Sequence, residues 1–198
     1  MKSRWLLLVA LAAIGAAVYG GKVLATPAST PGFSGTTLAK ATFGDLDIKA
    51  KGDTDPTIPG MQLWKAELKT KGDSDLYVQQ NTWDPSTCTT GLNGSCGPCF
   101  PESGRPCIPS SGWHTHPGPS FVIVTQGTVT AYEGDDPTCT PHVYSANGTN
   151  AFVDIGGGDV HIIRDESGAV AKTVVVQFIP KNATRRIDVT PAPGNCPF

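Results

Sequence analysis

The chain has 198 residues, 39% of them hydrophobic and 16% charged, and a formal net charge of -2. That length suits one domain with a real core, and the near-neutral balance excludes the basic surface that nucleic acid requires of a partner. With 23 Gly and 17 Pro and few charged helix formers, short strands joined by turns are favoured over a helical protein.

The amino terminus reads as a targeting segment. Lys2 and Arg4 precede an apolar run from Trp5 to Val18, and Val23-Leu24-Ala25 supplies a small-residue cleavage pattern before Thr26. The run is short for a bilayer span, which needs roughly 20 apolar residues, so the segment is expected to be removed and to leave no stable membrane partner. The expected layout is a signal peptide at 1–25, a flexible lead-in rich in Thr, Pro, Ser and Gly at 26–37, and a single domain over 38–198. The mature chain keeps all 17 acidic residues but loses Lys2, Arg4 and Lys22, and is mildly acidic. Its expected location is secreted or periplasmic.

In chain order, an early strand is expected over Leu38 to Ala50, then a turn over Pro56 to Gly60. Met61 to Lys71 fits a strand or a short helix equally well. Leu76 to Trp83 reads as a strand. Further on, Phe121 to Thr125 and Thr128 to Tyr132 flank Gln126-Gly127 like a hairpin. Strands follow at His142 to Tyr144, Ala151 to Ile155, Val160 to Arg164 and Lys172 to Pro180, with turns at Glu133 to Thr140, Asn147-Gly148 and Glu166-Ser167-Gly168. Phe121 and Ile123 face one way, Val122 and Val124 the other, and Thr173 to Ile179 shows the same doubling. Strands apolar on both faces need a second layer, from the N-terminal segment or from a second subunit in a homodimer.

Six cysteines, all beyond the targeting segment, fit an oxidising compartment. Cys139 sits in a turn and Cys196 near the carboxyl end, where a bridge between them would hold the tail. Cys88, Cys96, Cys99 and Cys107 share an insertion at 84–111 that is nearly free of aliphatic residues, so cross-links must order it. Two local disulfides are the plainer reading. A structural zinc knot or a redox role for Cys96-Gly97-Pro98-Cys99 is the alternative.

Gly112-Trp113-His114-Thr115-His116 places two imidazoles on one side of an extended strand. His161, three residues after Gly158, opens another apolar strand. Imidazole is the commonest transition-metal ligand at neutral pH, and three of them leave coordination positions open. His142 has no such surroundings and reads as a surface or turn residue. The stretch from Gly112 to Gly127, followed by Gly158-x-x-His161, resembles the two motifs of the cupin superfamily, over roughly Leu76 to Pro180. The resemblance implies an all-β fold, an antiparallel β-barrel or double-stranded β-helix of jelly-roll type, with His114, His116 and His161 as metal ligands. It departs at three positions: Ser120 stands where the family has glutamate, Gly156 where proline is usual and Asp165 where asparagine is usual.

Without that glutamate the site is expected to be all-imidazole and to hold one transition metal ion, Zn, Fe, Cu or Ni, better than a hard cation such as Mn²⁺. Ser120 holds a metal-bound water or is an ordinary barrel residue. Asp159 is a partner for an imidazole N–H or, more simply, a surface carboxylate. Strand parity puts Tyr132 and Gln126 on the inside. The Cys-rich insertion, just before His114, is placed to roof the site. Two functions follow: a metal-dependent, oxygenase-like enzyme acting on a small molecule, or a non-catalytic module that binds a small ligand or serves as structure.

Overall fold

A computed structural model describes residues 32–52, 64–87 and 108–198. The targeting segment, the turn over 56–60 and the four cysteines of the insertion lie outside the described residues. The regular structure among the described residues is strand: β1 (Phe33–Phe43), β2 (Asp47–Gly52), β3 (Trp64–Lys69), β4 (Ser74–Trp83), β5 (His114–Thr115), β6 (Ser120–Gln126), β7 (Thr128–Glu133), β8 (His142–Ser145), β9 (Ala151–Asp154), β10 (His161–Arg164), β11 (Ala171–Pro180) and β12 (Ile187–Asp188), with one 3₁₀ turn at Pro85–Thr87.

The pairing is nested. β4 lies against β11, β5 against β10, β6 against β9 and β7 against β8, every pair antiparallel. A long hairpin folded over on itself in this way is a jelly roll, the architecture of cupins. It yields two five-stranded sheets, in the orders β1-β4-β11-β6-β9 and β12-β5-β10-β7-β8, and β2-β3 forms a separate two-stranded ribbon. Trp83, Val124, Val129, Ala131, Ile163 and Ala171, drawn from both sheets, make the core between them. Burial of their apolar surface, at about 25 cal/mol per Å², holds the sheets face to face.

Three expectations need correction. The flexible lead-in was placed at 26–37, yet β1 starts at Phe33. Its Ser, Gly and Thr residues are exposed, and its order comes from backbone pairing with β4 rather than from burial. The single early strand over Leu38 to Ala50 is the end of β1 and most of β2, separated by residues 44–46. Nor is there a hairpin at Gln126-Gly127. β6 pairs with β11 and β9, β7 with β10 and β8, so the chain turns a corner from one sheet to the other. Gly127 has φ of 67°, and a Cβ there would lie 2.5 Å from the Val170 carbonyl oxygen, so only glycine makes this corner.

A second, smaller core lies on the outer face of the β5-β10-β7 sheet. Trp113, Tyr132, Ile162 and Cys196 pack there, and the Cys139–Cys196 disulfide anticipated from the sequence pins the C-terminal tail over them. Tyr132 therefore faces outward under the tail, with its hydroxyl donating to Glu166 at 2.9 Å, and Gln126 is exposed. Neither lines the interior. The doubled strands are apolar on both faces as read, but Phe121 is 51% exposed and Ile123 43%, beside Val153 at 51%.

Candidate metal centre

The three histidines converge. β5 and β10 pair with His114 opposite His161, and His116 follows one residue beyond the strand. Ring centroids lie 4.8 Å apart for His114 and His116, 4.4 Å for His114 and His161, and 5.4 Å for His116 and His161. One ring nitrogen from each falls within 4.8 Å of the other two. All three side chains are nearly or fully buried between the sheets.

Backbone carbonyls orient two of the rings. His114 Nδ1 lies 2.7 Å from the Gly112 carbonyl oxygen and His116 Nδ1 2.7 Å from that of Arg185. A carbonyl only accepts, so each Nδ1 carries the proton and each Nε2 keeps its lone pair for a ligand role. Burial pushes the His114 imidazole well below its usual pKa and also lowers His116. His161 is pushed down to about 4, chiefly by burial, against the opposing pull of Asp154. All three are therefore neutral at pH 7, the form that binds a metal.

The loop before His161 is built by backbone contact. The Gly157 N–H donates to the His116 carbonyl at 2.8 Å, and Gly156, at φ of 66°, leaves no room for a Cβ against the Gly118 carbonyl. Ser120 is buried, and its Oγ accepts from Gln177 Nε2 at 3.2 Å across the β6–β11 pair. Asp165 is buried and accepts from the Ser167 backbone and hydroxyl, away from the histidines. Asp159 is partly exposed and His142 exposed, as the plainer readings had them.

Sequence reasoning missed the nearest carboxylate. Asp154, at the end of β9, is buried with Oδ2 3.6 Å from His116 Nε2 and Oδ1 3.8 Å from His161 Nδ1. Its Oδ1 accepts from the Gly156 N–H at 2.8 Å, whereas Asp154 Oδ2 is buried with no hydrogen-bond partner. A buried carboxylate oxygen without a donor, 3.6 Å from the His116 Nε2 lone pair, fits a bound cation. A polar residue ending a strand next to an apolar run gave too little signal to single it out.

The histidines open onto a cavity of about 160 Å³ between the sheets. Its walls combine Trp83, Val122, Ile163 and Val175 with Gln79, Asn81, Ser120, Gln177, Arg185 and Arg186. Gln79 Nε2 and Gln177 Oε1 are buried there without partners. Gln79 shares the inward parity of β4 with Asn81 and Trp83, and Gln177 that of β11 with Val175 and Ile179, a signal visible in the sequence once the register is known.

No family model and no curated protein matches the chain. Among solved structures, an oxalate oxidase is 17% identical over 58% of this chain and 46% of its own length, with a TM-score of 0.39. The polyketide cyclase RemF from Streptomyces resistomycificus is 14% identical over 60% of this chain and 64% of its own, with a TM-score of 0.39. Peruvianin-I, a cysteine peptidase from Thevetia peruviana latex, is 15% identical over 57% and 55%, with a TM-score of 0.34. The chain thus spans less than two thirds of each. The nested strand pairing, rather than these distant likenesses, defines the fold: a cupin-like jelly roll that gathers three histidines between its sheets.

Proposed function

We propose that this is an exported protein that binds one transition metal ion through His114, His116 and His161 and acts on a small polar molecule held in the adjoining cavity. The observation that carries the reading is the convergence of three buried, neutral imidazoles, two of them fixed with Nε2 toward a common point. When bound, the metal would supply Lewis-acid chemistry, and redox chemistry if it is iron or copper. The protein's own part is to position and to exclude water. Gln79, Asn81 and Gln177 offer hydrogen bonds to the ligand, Arg185 and Arg186 suit an anionic group on it, and Trp83, Val122 and Val175 form the dry wall. The Cys139–Cys196 disulfide supports export to an oxidising compartment.

The amide and hydroxyl lining also favours a second reading, a binding module without turnover. Product formation with the metal-loaded protein separates the two. The metal reading itself is tested by elemental analysis of the purified protein and by calorimetric titration of the metal-stripped form with Zn²⁺. One equivalent is expected for the wild type. A His116→Ala variant should lose at least about 100-fold in affinity. Wild-type protein that takes up no metal would sink the reading.

A further inference from the structure

β9 places a carboxylate, Asp154, directly beside Ser120 of β6. Ser120 stands at the glutamate position of the resembled motif, and its partner across the β6–β9 pair is Asp154. Resting on the three-histidine reading above, we propose that Asp154 is a fourth, anionic ligand of the same metal ion, so that the site is not all-imidazole. The argument begins with two acceptors facing each other. His116 Nδ1–H donates a hydrogen bond to the Arg185 carbonyl, so its Nε2 presents a lone pair, and 3.6 Å away lies Asp154 Oδ2. Both groups are buried, and Oδ2 has no hydrogen-bond donor. Two electron-rich atoms held this way repel each other unless a cation lies between them. Ligands bonded to one ion at about 2.0–2.2 Å sit roughly 3–3.5 Å apart, close to the spacing found.

The other carboxylate oxygen is anchored. Oδ1 accepts the Gly156 N–H at 2.8 Å, which fixes the rotamer that aims Oδ2 at the histidines. A proline at position 156 would have no N–H to donate, so this anchor depends on the residue there not being proline. The consequence is a shift in metal preference. An added anionic oxygen lowers the charge of the loaded site and admits a harder ion, Mn²⁺, that three neutral imidazoles hold poorly.

The test is calorimetric titration of metal-stripped wild type and Asp154→Asn with Zn²⁺ and Mn²⁺, together with the visible spectrum of the Co²⁺ forms. Asp154→Asn should cut Mn²⁺ affinity by more than about 100-fold, beyond the roughly 10- to 100-fold cost of losing a carboxylate that merely orients a ligand. The Co²⁺ bands should also change as the coordination sphere loses an oxygen. A second variant, Asp154→Asn with Ser120→Glu, returns the carboxylate to β6 and should recover Mn²⁺ binding, which guards against a variant that simply misfolds. Unchanged Mn²⁺ affinity and an unchanged Co²⁺ spectrum in Asp154→Asn would overturn the proposal while leaving the three-histidine site intact. A wild type that binds neither ion would overturn both.

Discussion

Gly156 and Gly157 show how much of the site depends on single backbone positions. Both have positive φ, 66° and 70°, where a side chain costs roughly 1–2 kcal/mol. They differ in surroundings. A Cβ at Gly156 would run into the Gly118 carbonyl, which follows His116, whereas one at Gly157 meets nothing within 4 Å. Gly157→Ala should therefore cost only about 1 kcal/mol, and Gly156→Ala about 3 kcal/mol or more, because backbone rather than a flexible side chain must give way. Urea titration of the two variants measures the difference, and equal losses would refute the contact. At this scale the sequence was legible in part. HxH, by its spacing, and GxxH, through the resemblance, pointed to the three histidines that converge between the sheets. Asp154 announced nothing, because its role depends on which strand lies beside β6, and pairing across 34 residues leaves no local mark.

The same limit governs the elements. Alternation along β6 told correctly which side chains share a face, with Val122 and Val124 buried and Phe121 and Ile123 exposed. It could not tell which sheet the next strand would join, so a tight turn between two strands looked like a hairpin when it was a corner. β12 escaped notice because two residues, Ile187 and Asp188, carry no periodicity. The C-terminal tail was easier, since a cysteine near the chain end and another in a turn suggested their own bridge. That bridge closes 57 residues of sequence separation, for which chain entropy sets a ceiling of roughly 4 kcal/mol. Replacing both Cys139 and Cys196 with Ser should cost about 2–4 kcal/mol in urea titration. Trp113, stacked at 6.5 Å on Phe198 of the tail, should shift its emission to the red as the tail frays. Zn²⁺ binding should persist, because His114 and His161 are held by β5 and β10 rather than by the tail. Loss of metal binding together with the tail would contradict that division.

For the whole molecule, the buried imidazoles couple stability to pH and to metal. In the unfolded chain histidine takes up its proton near 6.5, whereas in the folded protein burial holds His161 down to about 4 and lowers His114 and His116 as well. Between those values the unfolded state binds more protons, so stability rises with pH and is lost as pH falls from about 6.5 toward 4. His161 alone should account for a loss on the order of 3 kcal/mol across that window. Bound metal steepens the slope, since a ligand at 100 times its dissociation constant adds about 2.7 kcal/mol to the folded state and protons compete for the same nitrogens. Urea midpoints at pH 7.5 and pH 5, each with Zn²⁺ and with chelator, should show a metal-dependent increment at the higher pH that shrinks at the lower. The metal-stripped protein should still weaken on acidification, and a His161→Gln variant should weaken less. Because burial also raises the Glu133 carboxyl to about 7, which offsets part of this loss on acidification, the comparison with His161→Gln is the deciding one. Equal losses from pH 7.5 to 5 in the wild type and His161→Gln would mean that this ring is not buried as a neutral base, and the case for a metal between the sheets would weaken with it.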